Sequence, residues 1–458
     1  MRRLIAAVLM IFAGSAQISF ADDPKPAPWG AIRGDARYVV EAQGDPWSEA
    51  GATVLAVTKG DAAKFGGAAT RLDAAPLRGR QVVLSADLLA ATDTAGGIIW
   101  LRADDESDKP VAFANSQNLP VLGGGDAAAR EIAIVVPAGA TKLVLGTGFQ
   151  ESGRLEARHL RLQSREAPPE SLVPPREVLD AAIAIVRQHA LNSGKVDWDQ
   201  LIDSLHAKSA DAKTAADVYP RIAELLAALR DGHSFFSPPS DTKQYQSTGL
   251  PKRPPVVQLI EPGVGYILVP GFAGSAARDA TAFADKVADD IDALAPRVTV
   301  GWVVDLRRNH GGNMWPMLAG VKALLGDGVV GKFRDAAGET SEWRAGDLVE
   351  RTEKPRRDLS AAKVAVLLDD ETASSGEAVA VAFSGRPSTR SFGESTIGLS
   401  SANAGFPLPD GSQIFLTTSV DVNRDGKVFG GKVEPDERVE EAAGNDLVQK
   451  SAVAWLKR

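Results

Sequence analysis

Apolar positions in this chain change rhythm at one point and keep two distinct patterns on either side of it. From Ala31 to Ser164 they come in short, partly alternating runs: QVVLSADLL from Gln81, GGIIWLRAD from Gly96, REIAIVVP from Arg130, TKLVLGTGF from Thr141 and GRLEARHLRLQ from Gly153. Gly, Asp or Pro separates one run from the next, and no helical period is sustained. Short strands with side chains alternating in and out predict an antiparallel β-sandwich over residues 22–165, with Trp100 inside a strand and therefore in the core. The stretch SREAPPESLVPPRE, Ser164–Glu177, is Pro-rich and charged, which places a linker at residues 166–177.

Past the linker the spacing lengthens. REVLDAAIAIVRQHAL and AADVYPRIAELLAALRDG carry apolar residues three and four apart, which predicts amphipathic helices in a helical region at 178–250. From residue 251 to 458 strands and helices alternate: GVGYILVPGF is a strand, Ala276 to Leu294 a helix, VTVGWVVDLR a strand, Met317 to Leu325 a helix and KVAVLL a strand before another helix. Such alternation predicts an α/β sheet with crossover helices.

The N-terminus reads as an address. Arg2 and Arg3 precede the apolar run Leu4 to Ala13, and small residues around Ser19 and Ala21 offer a cleavage site before Asp22. Residues 1–21 are therefore expected to be a secretory signal peptide, too short in its apolar run to make a stable membrane span. Its removal takes two arginines and changes the formal net charge from −8 to −10. That balance, without a basic run, argues against nucleic acid as a partner. The chain has no cysteine, so an exported form depends on its core alone, and thiol catalysis is excluded.

Three separated clusters could carry chemistry. LRDGHSFF holds His233 in a turn after a helix. DLRRNHGGN, Asp305–Asn313, ends a buried strand. In TASSGE, Ser374 or Ser375 stands at a strand-to-helix turn, where the following amides point outward as donors. A hydroxyl nucleophile beside such amides suits acyl transfer. Of the five histidines, His159 falls in a strand and His189 and His206 in helices. His310 competes with His233 but sits in a Gly-rich turn better suited to offering amides. Gly311 and Gly312 let the backbone approach a substrate closely.

DGHSFF, DLRRNHGGNMWPML, TASSGE, GESTIGLSSAN and VEPDE occur in the order found in the tail-specific, or C-terminal processing, serine peptidases. The resemblance spans roughly Val173 to Val439 and leaves the sandwich outside it. It implies a crotonase-like α/β superhelix with a helical cap, a peptide or protein substrate, and Ser374 as nucleophile. Members with a Ser-Lys dyad carry a lysine where this chain has Leu399, so the chain resembles the tricorn-core-like branch, in which a histidine is the base. His233 matches that histidine. In that branch a serine orients the histidine and a distant glutamate supports it; Ser234 and Glu434 stand in those places here. The resemblance further implies an oxyanion hole from the amides of Gly312 and Ser375, and substrate contacts at Gly311, Asn313 and Gly398. Many members insert a PDZ domain after the histidine motif, for which Phe236 to Val256 is too short.

DVNRDGKVFGGK begins like a calcium loop, with Asp421, Asn423, Asp425 and Gly426 in place, but Lys432 occupies the position that needs a bidentate Glu. A hairpin turn is the reading adopted, and neither metal nor cofactor is expected. Two alternatives stay open: a catalytically inactive peptide- or glycan-binding protein on the same scaffold, and an esterase using the same Ser-His pair. A glycan partner at the N-terminal domain is a further expectation.

Overall fold

The computed structural model describes residues 16–17, 27–32, 38–47, 51–57, 66–91, 95–117, 120–121, 123–150, 153–168, 172–251, 253–347, 349, 356–440 and 445–458. The expected signal peptide lies outside these residues except for Ala16–Gln17. Two compact units form, one from Met1–Gln117, Val121–Val178 and Ser209–Pro220, the other from Asn118–Pro120, Leu179–Lys208 and Arg221–Arg458. Among the described residues no helix is long and apolar enough to cross a membrane.

The first unit contains strands β1 (Ala16–Gln17), β2 (Gly30–Ala31), β3 (Tyr38–Gln43), β4 (Ala52–Val57), β5 (Gly66–Asp73), β6 (Arg80–Ala90), β7 (Ala95–Asp104), β8 (Pro110–Asn115), β9 (Ala128–Val135), β10 (Lys142–Gln150) and β11 (Arg154–Glu166). They build two antiparallel sheets, one ordered β3-β4-β11-β6-β9 with β1 on β11, the other β2-β5-β10-β7-β8. Alternation decides what each strand buries. Leu84 and Leu88 of β6 and Leu155, Leu160 and Leu162 of β11 share one core with Ile99 and Leu101 of β7 and Leu143 and Leu145 of β10. Trp100 is also buried, beside Gly146, where a Cβ would lie 2.5 Å from the indole. Along β11 the alternation slips once. A bulge between Arg158 and Arg161, opposite Asp87 and Ser85, inserts one residue, so Arg158 and His159 are both exposed, and His159 adopts φ +51°.

Residues 209–220, expected within the helical region, belong instead to this unit: the Asp217 carboxylate accepts the Ala138 N–H at 2.8 Å. The run read as one helix from Ala215 is split accordingly. A 3₁₀ turn, Ala215–Val218, precedes a helix beginning at Tyr219, with Pro220 in its first turn, where a missing N–H costs nothing.

The second unit carries α1 (Pro175–His189, in part), α2 (Trp198–Ala207), α3 (Tyr219–Ala227), β12 (Phe235–Ser237), α4 (Pro239–Ser247), β13 (Gly249–Pro251), β14 (Val256–Glu261), β15 (Val264–Leu268), β16 (Phe272–Gly274), α5 (Ala277–Leu294) and β17 (Gly301–Asp305). There follow α6 (Met314–Gly320), α7 (Lys322–Leu325), β18 (Val329–Asp335), β19 (Thr340–Arg344), β20 (Val364–Leu368), α8 (Ser375–Phe383), β21 (Thr389–Gly393), β22 (Ser401–Pro407), β23 (Gln413–Asn423), β24 (Glu437–Arg438) and α9 (Leu447–Leu456). A sheet ordered β14-β15-β17-β20-β21-β24 is parallel from β15 onward, with β14 antiparallel at its edge. Every residue of β17 and β20 is buried, because both faces are covered. Val304, Val364 and Val366 pack with α5, α6 and α8, while Val303, Ala365 and Leu367 pack with α9. A second sheet, β12-β23-β18-β19 with β22 on β23, is antiparallel. The run from Asp421 ends β23 and turns as a hairpin: Asn423 Oδ1 accepts the N–H groups of Asp425 and Lys427, and Val422 bridges Val428.

Candidate active site

Parallel strands end where their loops must satisfy the last carbonyls, and the loops after β17 and β20 do so by locking onto each other. Asn309, fully buried, donates its amide to the Val269 carbonyl at 3.0 Å, while its own carbonyl accepts the Ala373 N–H at 2.9 Å and its side-chain oxygen the Gly311 N–H at 2.9 Å. The Thr372 hydroxyl donates to the Leu306 carbonyl at 3.0 Å. Two glycines permit this approach. A Cβ on Gly376 would lie 2.5 Å from the Asn309 carbonyl oxygen; one on Gly311, at φ +83°, would lie 2.9 Å from Ser374 Cβ and 3.0 Å from the Ser375 nitrogen.

Ser374 is the N-cap of α8, with φ +52° and ψ −119°, a conformation that side chains other than Gly rarely adopt. Glu377, one turn into the helix and fully buried, holds it there. Its carboxylate accepts the Ser374 N–H at 2.6 Å, the Leu399 N–H at 2.8 Å, the Gly398 N–H at 2.9 Å and the Thr396 hydroxyl. Burial pushes this carboxyl above its ordinary range, and the four donors pull it back. One carboxylate thus fixes both the serine turn and the loop that leads into β22.

The histidine is aimed from the other sheet. Asp231 Oδ1 accepts the N–H groups of His233 at 3.0 Å and Ser234 at 2.9 Å, and the Asn403 amide donates to the His233 carbonyl at 2.8 Å. With its backbone held, the imidazole reaches Ser374: Nε2 lies 2.8 Å from Ser374 Oγ. Nδ1 lies 2.8 Å from Ser401 Oγ. Burial pushes the imidazole below the usual histidine range, with the Asp231 carboxylate opposing.

Other residues singled out in the sequence are committed elsewhere. Ser234 does not orient His233: its hydroxyl donates to Asp231 Oδ2 at 2.6 Å and accepts the Thr417 N–H at 3.0 Å, because the residue after His233 points to the other side of the turn. Glu434 is exposed and bonded to the Ser395 hydroxyl, with no contact to the imidazole. Gly398 has its N–H taken by Glu377. Asn313 caps α6, accepting the Trp315 N–H at 3.1 Å. His310 stands 3.7 Å from the Glu371 carboxylate. The Gly311 N–H is donated to the Asn309 side-chain oxygen. Gly312 and Ser375 do come together: the Ser375 hydroxyl donates to the Gly312 carbonyl at 2.6 Å. Among the described residues neither of their N–H groups has an acceptor.

Residues 263–439 match the family model described as peptidase family S41. Over this segment the chain is similar to that family. The S41 domain is a serine-type peptidase. A nisin-resistance protein from Lactococcus lactis subsp. lactis is 26% identical over 297 residues, covering 62% of this chain and 89% of that protein. A lipoprotein from Streptococcus agalactiae shares the fold at a TM-score of 0.55 and 23% identity, over 64% of this chain and 97% of that one. A photosystem II D1 C-terminal processing protease aligns at a TM-score of 0.45 and 16% identity, over 64% and 98%.

Three residues of the site escape a reading of the sequence. Ser401 carries no local signal, lying far along the chain from His233. Glu377 had one, since an acid at the third position of a helix after a Ser is the pattern of a reciprocal cap. Asn309, between two arginine- and glycine-flanked positions, looks like an ordinary turn residue. Near them lies Asp421, on β23 and fully buried, with no hydrogen-bond partner for either carboxylate oxygen. Burial and the Glu377 carboxylate push it up to about 8.

Proposed function

We propose that the S41 domain is an exported serine endopeptidase in which Ser374 is the nucleophile and His233 the general base. The observation that carries this reading is the 2.8 Å separation of His233 Nε2 from Ser374 Oγ at a strained strand-to-helix turn. Ser374 Oγ attacks the scissile carbonyl carbon as its proton passes to Nε2. The carbonyl oxygen becomes an oxyanion received by the N–H groups of Gly312 and Ser375, whose loops are tied by the Ser375–Gly312 bond. Nε2–H then protonates the leaving amine, the peptide C–N bond breaks, and water activated by the same nitrogen releases the acyl group from Ser374.

Ser401 is a positioning residue. For Nε2 to accept a proton, Nδ1 must carry one, and Ser401 Oγ is the acceptor that selects this tautomer. Among the described residues no carboxylate touches the imidazole, so the imidazolium formed in the transition state is stabilised by a neutral hydroxyl. With burial acting in the same direction, the base titrates below the unperturbed value of about 6.5. Leu399, where a dyad lysine would stand, offers its backbone N–H to Glu377.

The finer fold belongs to this proposal: a crotonase-like superhelix with a helical cap, preceded by a β-sandwich. Export rests on the signal-peptide pattern of residues 1–21 and on the likeness to a lipoprotein from Streptococcus agalactiae. The test is turnover of a peptide blocked at both ends. An endopeptidase cleaves it, with an acid limb set by one ionisation below about 6.5. Cleavage only of peptides with a free terminus would rule out the endopeptidase assignment.

A further inference from the structure

The outer face of the β11-β6-β9 portion of the first unit forms a groove of about 520 Å³ that the peptidase reading does not use. Strand register explains its shape. Arg161, Ser85 and Glu131 stand in one row across the three strands, and Asp87 and Ala129 occupy the next outward-facing row. Small Ser85 and Ala129 leave the middle hollow, and the charged side chains rise at its sides. Arg161 and Glu131 are two strand spacings apart, roughly 10 Å between backbones, with Ser85 between them, and do not pair. Among the described residues neither side chain has a hydrogen-bond or ion-pair partner. The Arg130 guanidinium, also at the groove, donates to the Ala129 carbonyl at 2.7 Å.

His159 stands at the β11 bulge. Its left-handed backbone, φ +51°, is one that a β-strand residue adopts only at a cost in free energy. What the protein gains locally is a bond from His159 Nδ1 to Asp87 at 2.6 Å, with the two side chains 45% and 38% exposed. Pairs so exposed contribute less than such a backbone costs. Glycine would fit the bulge without strain. The bulge therefore holds an imidazole at the groove at a net loss to stability.

We propose that this groove is a binding site for a hydroxyl-rich saccharide chain. Its polar lining is hydroxyl, carboxylate, imidazole and guanidinium, with no Phe, Tyr or Trp and nothing aliphatic beyond alanine. Apolar ligands gain nothing there. A polypeptide lying across β6 and β11 finds no free main-chain partners, because both are paired on both sides, and the open edge of β9 lies at the side of the sheet rather than on this face. Nucleic acid is disfavoured by the acids Asp87 and Glu131 among the bases. Sugar hydroxyls both donate and accept, so they can give hydrogen to Asp87 and Glu131 and take it from Arg161. With no Phe, Tyr or Trp ring to stack on, the affinity rests on a few hydrogen bonds and falls in the range of roughly 0.1 to 1 mM.

The test is native affinity electrophoresis of the full chain through gels containing soluble β-glucan, dextran or polygalacturonate, with melting temperature and peptide turnover measured alongside. Retardation in at least one of the three is expected, falling at least fivefold in Arg161→Ala and in Asp87→Asn with turnover unchanged. His159→Gly is the sharper variant: it should lose retardation while its melting temperature holds or rises by a few degrees. No retardation in any of the three polysaccharides would overturn the proposal. So would a drop of several degrees in His159→Gly, because the His159–Asp87 pair would then be structural.

Discussion

Removing the Ser401 hydroxyl isolates the contribution of the group that orients the base. In Ser401→Ala the imidazole keeps its backbone anchors to Asp231 and Asn403 and its contact with Ser374, and loses only the 2.8 Å bond at Nδ1. In the resting enzyme that bond joins two neutral groups and contributes about 1 kcal/mol. In the transition state Nδ1–H belongs to an imidazolium, and a hydrogen bond to a charged group contributes about 1.5–3 kcal/mol. The bond therefore strengthens by about 0.5–2 kcal/mol on the way to the transition state, and at about 1.4 kcal/mol per decade kcat/KM should fall by a factor of roughly 2 to 30. Because the bond strengthens as the reaction proceeds, most of the loss belongs in kcat and little in KM. The pH profile supplies a second readout. Burial already holds His233 below the ordinary histidine range; without an acceptor for the protonated ring it drops further, so the acid limb should move to lower pH. Initial rates on an end-blocked fluorogenic peptide from about pH 4 to about pH 9 measure both quantities. Ser234→Ala and Glu434→Gln are the controls, and neither should move the acid limb, since neither side chain touches the imidazole. A Ser401→Ala enzyme with unchanged kcat and an unshifted limb, or a Ser234→Ala enzyme with both changes, would refute the assignment.

Gly311→Ala should lower turnover at least 100-fold, since the new Cβ would lie 2.9 Å from Ser374 Cβ and the backbone is at φ +83°; peptide kinetics on folded protein check it. Glu377→Gln should destabilise by about 2–4 kcal/mol in denaturant melts, because an amide cannot accept from all four donors and leaves some of them buried and unbonded. Asp421→Asn should stabilise the protein. The folded state holds a proton on Asp421 up to about pH 8, whereas the unfolded chain releases it near 3.8, so folding loses stability as pH rises between those values. The gain from Asn should be near zero at about pH 4 and at most about 4 kcal/mol at pH 7, as read by urea melts at both; a gain independent of pH would exclude ionisation of Asp421 as its source.

The sequence carried more of the scaffold than of the site. VAVLL at Val364–Leu368 was legible as a buried strand because helices cover both its faces and no position needs to be polar. His233 stood out at a turn beside Gly232, while the residues alone left Ser374 and Ser375 open and the family resemblance chose Ser374, whose Oγ lies 2.8 Å from the imidazole. Ser401 was not, since its role arises from a strand that returns beside the histidine and has no period or spacing to announce it. Taking Ser234 instead treated sequence adjacency as spatial adjacency, whereas successive side chains point to different sides of an extended turn. Glu434 failed for a related reason: its motif matched in order, but its side chain is exposed. Asp421 lies in a recognisable hairpin, yet its burial depends on which side of β23 faces α8, a tertiary fact. At His159 the strand was legible and the bulge was not, because a left-handed histidine leaves no mark in composition.

The central claim is that Ser374 attacks and His233 takes its proton. A serine-directed phosphonate tests it most directly, with labelling read on the wild-type chain, Ser374→Ala, Ser375→Ala and His233→Ala, each checked for folding by thermal melting. Wild type should label at one serine. Ser374→Ala should not label at all, and His233→Ala should label more slowly by orders of magnitude. Ser375→Ala should keep its label, with turnover lowered roughly tenfold, because its amide remains while the bond from its hydroxyl to the Gly312 carbonyl is lost. Labelling that persists in Ser374→Ala and vanishes in Ser375→Ala would contradict the account.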